Sequence, residues 1–150
     1  NYKVKKQVAK ICKMENRAKL NSKKVLNNFQ KKVVENRMQL TLLLTKLKKM
    51  KKKIVVLSAP AKGMTLLNYC KIDNNFIDYA TEKSFIKQGS YTPGGNIPVY
   101  SDGKILKSKP DYALLLAWNF SKEIIKNNIQ YLKGGGKFII PIPNVKIIKK

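Results

Sequence analysis

The feature that most constrains the fold is a short apolar run followed by a turn and a helix start. Ile54-Val55-Val56-Leu57 is rich in β-branched residues and short, so it predicts a buried strand. Pro60 and Gly63 punctuate the next segment, and residues 65–69 can continue as a helix. A strand, a tight turn and a helix N-terminus together form a site that can bind an anion.

Lys62 stands at this predicted helix start. A cation there opposes the helix dipole, and its position makes more sense if an anion such as a phosphate binds nearby. An exposed lysine in a lysine-rich chain is the alternative explanation.

The rest of residues 54–150 alternates strand and helix patterns. Strands are predicted at 76–80, 113–117 and 137–140, and helices at 63–70 and 121–132. This alternation predicts an α/β fold, a Rossmann-like parallel sheet with covering helices. Pro141 and Pro143 predict that the last strand ends there or lies at an edge. Residues 87–98 contain too much Gly and Pro for a regular element and predict a structured loop.

Residues 1–53 have a helical pattern and are expected to form an extension that packs on the domain at 54–150. Val4, Val8 and Ile11 share one face of a first helix, and Asn21 or Ser22 could cap a second. In the second helix apolar residues recur every seven positions, at Leu26, Val33, Leu40 and Leu47. Phe29, Leu43 and Met50 form a second apolar row with the same spacing, which Asn36 interrupts. A coiled-coil dimer is the alternative to packing.

The charge of the chain first suggests a polyanionic partner. It carries 32 basic and 8 acidic residues, a formal net charge of +24. Arg17 and Arg37 are the only arginines, although arginine is the usual residue for specific base recognition. The lysines are spread along the chain, which favours the codon bias of an AT-rich genome. A basic nucleic-acid-binding protein stays open as an alternative, and non-specific polyanion binding at low salt is expected either way.

Histidine is absent, and Cys12 and Cys70 are the only cysteines. We therefore predict no metal site in this chain and two free thiols in a reducing compartment. No apolar run approaches the roughly 20 residues that span a bilayer, so no membrane partner is expected. Without an evident signal peptide, the predicted location is cytoplasmic. The absence of an initiator Met is consistent with a piece of something longer.

Three groups should meet at the carboxyl ends of the predicted strands, where open parallel sheets bind ligands. They are the turn 58–63, Glu82 and the pair Trp118-Asn119. Glu82 stands near the position of the ribose-binding acid of a dinucleotide fold, but the glycine fingerprint of that fold is missing, so NAD binding is not expected. A solvated acid and a core tryptophan are the alternative explanations for Glu82 and Trp118.

The candidate catalytic bases are six acids, and no two of them form a convincing pair by spacing. They are Asp73, Asp78, Glu82, Asp102, Asp111 and Glu123. Without histidine or a nucleophile next to a base, we predict no catalytic residue in this chain. The pattern indicates a binding domain whose site is completed by another part of a protein.

Several motifs occur in a specific order along the chain. They are Ala59-Pro-Ala-Lys-Gly-Met-Thr-Leu-Leu-Asn-Tyr-Cys70, Lys87-Gln-Gly89, Pro93-Gly94, Ile97-Pro98, Pro110-Asp111-Tyr112, Leu116-Ala-Trp-Asn119, Glu123-Ile124 and Gly135-Gly-Lys-Phe-Ile-Ile-Pro-Ile-Pro143. Together they resemble the C-terminal domain of SAM-dependent sugar C-methyltransferases, over essentially the whole chain. The resemblance implies an enzyme that methylates a carbon of a nucleotide-linked keto-deoxysugar, in a deoxysugar biosynthesis pathway.

The resemblance also implies that a zinc-binding domain and a SAM-binding domain precede this one. SAM, the structural zinc and the main proton-transfer groups would then belong to those domains, with no cofactor in this chain. The implied partners are the nucleotide-linked sugar and the SAM-binding domain, in cis or in trans. The chain alone is expected to be inactive.

The predicted substrate-binding residues follow from these motifs and from the strand ends. They are Lys62, Gly63, Asn68, Glu82, Lys87, Gln88, Trp118 and Asn119. The chain departs from the family at two places. Val56-Leu57-Ser58 replaces a Gly-aromatic-Gly pattern, and Glu82 replaces an Asp. A diverged, non-catalytic interaction module is therefore a further alternative.

Overall fold

The computed structural model describes residues 5–150, which form two units: residues up to Glu35, and Asn36–Lys150. The first unit contains helix α1 (Lys6–Arg17) and the start of helix α2 (Lys23–Lys49), which continues into the second. The predicted N-terminal helical segment is therefore confirmed. Val8 and Ile11 are exposed on α1, while Val4, predicted on the same face, lies outside the described residues.

Helix α2 begins where the sequence predicts, directly after the cap candidates Asn21 and Ser22. Ser22, one of the two cap candidates, accepts a hydrogen bond from the backbone N–H of Val25 at 3.3 Å. The last turn contains Lys46, Lys48 and Lys49, whose positive charges interact favourably with the negative end of the helix dipole.

Within the second unit, α2 packs on the domain through Leu40, Leu44 and Leu47. Asn36, which interrupts the apolar row, donates from its side-chain amide to the carbonyl oxygen of Pro141 at 2.7 Å.

One six-stranded sheet organises the second unit. Its strands are β1 (Ile54–Leu57), β2 (Tyr79–Glu82), β3 (Val99–Ser101), β4 (Tyr112–Leu115), β5 (Lys137–Ile140) and β6 (Lys146–Ile148). The spatial order is β3-β2-β1-β4-β5-β6, with the first five parallel and β6 antiparallel to β5. The predicted Rossmann-like α/β fold is confirmed.

The central strand β1 is buried on both faces, which is why its sequence is continuously apolar. One face packs against α2 and α3 (Ala61–Cys70), with Met64 and Leu67 of α3 in that core. The other face is covered by three short helices, α4 (Lys104–Ser108), α5 (Ser121–Asn127) and α6 (Ile129–Lys133).

Several elements differ from the prediction. Strand β2 begins at Tyr79 rather than residue 76, because the Asp73 carbonyl accepts the N–H groups of Phe76 and Ile77 in a turn. The helix predicted at 121–132 is broken at Asn128, whose side chain donates to the Ile124 carbonyl at 2.8 Å. The third predicted strand is found at Tyr112–Leu115 instead of 113–117.

Strand β5 matches the prediction to the residue and ends before Pro141. It lies inside the sheet, between β4 and β6, so the prolines terminate it and do not mark an edge. The short elements β3, β6 and α4 were not predicted.

Candidate functional site

A crevice forms where the connections of two neighbouring strands diverge. Strand β1 leads into α3 on one face of the sheet, while β4 leads through a 3₁₀ turn (Trp118–Phe120) into α5 on the other. Such a point at the carboxyl ends of parallel strands is the usual ligand site of an open α/β sheet.

Lys62 and Trp118 meet across this crevice. Lys62 is exposed in the first turn of α3, and its Nζ lies 4.7 Å from the centroid of the half-buried Trp118 ring. No ion pair found within residues 5–150 involves Lys62. Asn119 follows Trp118 and is exposed. The N-terminus of α3 thus offers a cation and a flat aromatic surface together.

Gly63 allows α3 to approach β4 closely. A Cβ atom at Gly63 would lie 2.6 Å from the Cβ of Leu116, which is fully buried. Gly63 therefore packs the helix against the segment after β4, beneath the Lys62–Trp118 pair.

Glu82 ends β2 and links its loop to the turn after β1. Its carboxylate accepts hydrogen bonds from the backbone N–H groups of Ala59 at 3.3 Å and Lys83 at 3.0 Å. Burial raises the pKa of Glu82, but the Lys87 ammonium and the surrounding N–H groups outweigh it and lower the pKa below its ordinary value. The ionised carboxylate of Glu82 therefore bonds to groups of the protein itself.

Lys87 and Gln88 build the loop that follows β2. Lys87 donates from Nζ to Glu82 and to the Ala59 carbonyl, both at 3.4 Å. Gln88 donates from Nε2 to the carbonyl oxygens of Glu82 at 2.9 Å and Lys83 at 3.3 Å. The structure therefore brings Glu82, Lys87 and Gln88 together as a loop-closing cluster beside the crevice.

Asn68 lies apart from the other predicted residues. It is in the last turn of α3, about 9 Å beyond Lys62 along the helix axis. Its Oδ1 approaches Gly94, where an added Cβ would lie 2.4 Å away. Asn68 thus faces the loop around Gly94. Its predicted role, like the roles of the other seven residues, stays a prediction.

A cavity of about 300 Å³ also opens at the carboxyl ends of the strands, on the α5 side. Its polar and charged lining residues are Ser58, Glu82, Lys83, Asp102, Glu123, Asn127 and Asn128. The sequence pattern considered Asp102 and Glu123 only as catalytic bases and did not single out the two asparagines. The unpredicted strand β3, which positions Asp102, explains part of this omission.

Ser58 has a backbone conformation unusual for its residue type. It follows β1 with a φ of 67°, in the left-handed region that favours glycine. This is one of the positions at which the family pattern described above has glycine.

Metal-binding groups, cysteines and membrane-spanning helices were also considered within residues 5–150. No three His, Cys, Asp or Glu side chains there come close enough together to hold a metal ion. Cys12 is exposed and Cys70 buried, both as free thiols, and burial raises the pKa of Cys70 against the opposing charge of Arg37. None of the described helices has the length and apolar character needed to cross a bilayer.

The fold defines a Rossmann-like α/β domain with a crevice at the carboxyl ends of its parallel strands. The chain belongs to the family described as the C-methyltransferase C-terminal domain, which it matches over residues 1–143. It is 42% identical over 90 residues to the C-methyltransferase NovU of Streptomyces niveus. That match covers 60% of this chain and 21% of NovU, so the chain spans far less than two thirds of this relative. The predicted family resemblance is confirmed.

Proposed function

We propose that this chain is the substrate-side domain of a SAM-dependent methyltransferase that acts on a carbon of a nucleotide-linked keto-deoxysugar. The observation that carries the proposal is the Lys62–Trp118 pair at the start of α3, in the crevice of a domain that belongs to the C-methyltransferase family.

The crevice has the chemistry that a sugar nucleotide requires. The N-terminus of α3 provides free backbone N–H groups and positive potential for a phosphate, and Lys62 adds a full charge. Trp118 offers a face on which a base or sugar ring can stack. Asn119 adds one hydrogen-bond donor group and one acceptor at the rim.

The same crevice does not fit SAM. In nucleotide-binding folds of this class, the acid at the end of β2 accepts ribose hydroxyl groups. Here that acid, Glu82, already accepts hydrogen bonds from Ala59, Lys83 and Lys87. Val56 and Ser58 also bring side chains to positions that such folds give to glycine. We therefore assign the methyl donor, the base and the structural zinc to other domains, in cis or in trans.

The proposal is tested by calorimetric titration of the chain with TDP and with a TDP-linked deoxysugar. Lys62→Ala and Trp118→Ala should each weaken binding about tenfold, the effect of losing roughly 1.4 kcal/mol of interaction. Lys137→Ala is the matched control, because the Lys137 ammonium lies 5.2 Å from the centroid of the Tyr112 ring, at the amino ends of β4 and β5 and so at the opposite end of the strands from the crevice. Equal affinity in all three variants would show that the site is elsewhere, and saturable SAM binding would refute the assignment of SAM to another domain.

A further inference from the structure

Exposed lysines of the second unit are concentrated at the amino ends of the strands, opposite the crevice. Helices α2, α3, α4 and α6 end on this side, because each leads into the start of a parallel strand. Exposed lysines lie at or directly beyond these helix ends, at Lys49, Lys51, Lys71, Lys107, Lys109 and Lys133. Lys53 precedes β1, and Lys149 and Lys150 follow β6. These nine lysines define the amino-end face.

The strand ends hold part of this face together. The backbone N–H of Tyr112 donates to the carbonyl oxygen of Lys53 at 3.1 Å, which joins the starts of β1 and β4. Strand β6 runs antiparallel to β5 with Ile148 opposite Phe138, which brings Lys149 to the level of the start of β5. Neighbouring strands lie about 4.8 Å apart, so the row from β1 to β6 spans about 14 Å.

The acids at these strand starts do not compensate the lysines, because they are bonded to other groups of the protein. The Asp78 carboxylate accepts the backbone N–H of Ile54 at 2.8 Å. The Asp111 carboxylate accepts the backbone N–H of Lys53 at 2.9 Å and the Nζ of Lys52 at 3.0 Å. None of the nine lysines takes part in an ion pair found within residues 5–150, so their charge is available to a partner.

Three lysines of the face occupy backbone positions that suit other residues better. Lys51, Lys71 and Lys109 follow helices α2, α3 and α4 with φ values of 55°, 54° and 43°, in the left-handed region where glycine or asparagine usually ends a helix. The helix dipole favours a cation there, but more weakly than the left-handed conformation disfavours a side chain. Codon bias does not explain the choice either, since lysine and asparagine codons are equally rich in A and T. Asn96, with a φ of 49°, shows that asparagine is used in this way elsewhere in the chain.

We propose that the amino-end face binds the phosphate backbone of a double-stranded nucleic acid. The cations of the face are all lysines, which bind phosphates as point charges and lack the planar fork with which arginine reads bases. Binding is therefore independent of base sequence and driven by counterion release. The face and the crevice lie at opposite ends of the strands, so this inference does not depend on the proposed function.

Other anionic partners fit this face less well. Single-stranded nucleic acids stack their bases on exposed aromatic rings, whereas Tyr79, Tyr112 and Tyr131 at this end of the sheet are buried. Protein interfaces are depleted in lysine. The exposed Met50 and Leu106 lie on the same side, so an anionic membrane is the partner class that the test must separate from a duplex.

The test titrates the chain into a labelled DNA duplex of mixed sequence and follows fluorescence anisotropy at several salt concentrations. The face variant combines Lys51→Asn, Lys71→Asn and Lys109→Asn. The matched control has the same net charge and changes exposed lysines outside the face, by Lys122→Gln, Lys126→Gln and Lys146→Gln. We expect weaker binding by the face variant, with a slope of log affinity against log salt that is shallower by about three. The control should keep the slope of the parent chain.

Thermal unfolding separates a role in binding from a role in the fold. Asparagine suits the left-handed conformation better than lysine, so the face variant should unfold at the same or a higher temperature than the parent chain while binding the duplex more weakly. A lower unfolding temperature with unchanged binding would assign these lysines to the stability of the helix ends and overturn the inference.

Two further results would also overturn it. Equal losses of affinity in the face variant and the control would show that binding follows net charge alone. Sedimentation with phosphatidylserine vesicles tests the membrane alternative, and face-dependent binding to vesicles without binding to the duplex would assign the face to a lipid surface. The proposed function is tested separately, since TDP should bind the face variant and the parent chain equally.

Discussion

Ser58 joins β1 to the crevice in a conformation that glycine adopts more easily. Its φ of 67° places Cβ close to the backbone, which strains any residue except glycine. The side chain lines the cavity on the α5 side, so the strained position also presents a hydroxyl group to that cavity.

Ser58→Gly should therefore raise the free energy of unfolding, by about 0.5–1 kcal/mol after the extra freedom of glycine in the unfolded chain is counted. Urea denaturation of both proteins measures this difference. Lower stability of Ser58→Gly would show that the serine side chain stabilises the turn more than its backbone strain costs.

Glu82 makes the stability of the domain depend on pH. Its pKa is lowered in the folded protein, so the folded state favours the ionised carboxylate. The stabilisation is complete above the ordinary pKa of 4.5 and is lost as pH falls through the lower folded-state pKa.

Glu82→Gln should consequently cost about 1–3 kcal/mol near neutral pH, and the difference from the parent chain should shrink below pH 4.5. Denaturant titrations at several pH values measure this profile. Glu35→Gln, at an exposed position of α2, is the control and should leave stability nearly unchanged. A Glu82→Gln penalty that stays constant into acid would contradict the role of the carboxylate charge.

At the scale of elements, the contact between α3 and the end of β4 sets the shape of the crevice. Gly63 allows this contact, because the Leu116 Cβ lies where a side chain at residue 63 would begin. Leu116 is fully buried, so its Cβ cannot move without moving the backbone.

Gly63→Ala should destabilise the domain by about 1–3 kcal/mol, even though alanine favours helix more than glycine does. Gly103→Ala is the matched control, since an added Cβ there meets no atom within 4 Å. Thermal unfolding of the two variants gives the comparison. Equal melting temperatures would mean that α3 shifts to accept the methyl group, and that the crevice is more adaptable than the packing indicates.

The elements also show which parts of the fold the sequence pattern reveals. Strands β1 and β5 were predicted to the residue, because each is a dense apolar run bounded by turn residues. The predicted start of strand β2 is three residues too early, because Phe76 and Ile77 have the apolar character of strand residues but belong to the turn at Asp73. Strands β3 and β6 have three residues each, too few to show an alternating pattern.

The placement of the candidate site residues in the fold could be predicted to a similar degree. Lys62 and Trp118 were expected at the carboxyl ends of two strands, and the structure brings them together. The linkage of Glu82 to Ala59 and Lys87 could not be read from spacing, since it depends on how the loop after β2 folds back. The cavity on the α5 side depends on β3 and on the break between α5 and α6, which the sequence does not reveal.

At the scale of the whole molecule, two properties make opposite predictions about ligands. The net charge of +24 attracts any polyanion, with an affinity that falls steeply as salt rises. The crevice instead predicts recognition of one ligand class by a defined pair, Lys62 and Trp118. Salt dependence and competition therefore separate a charge-driven binder from a sugar-nucleotide domain.

The most direct measurement is a titration of the chain with a TDP-linked deoxysugar at physiological salt, followed by the fluorescence of Trp118, its one tryptophan. A separate titration with inorganic pyrophosphate, which offers charge without base or sugar, is the comparison. Our account predicts saturable binding that perturbs Trp118 and that excess pyrophosphate does not mimic. A response that pyrophosphate reproduces, or no saturable response even when the SAM-binding domain is supplied, would contradict the substrate-domain assignment.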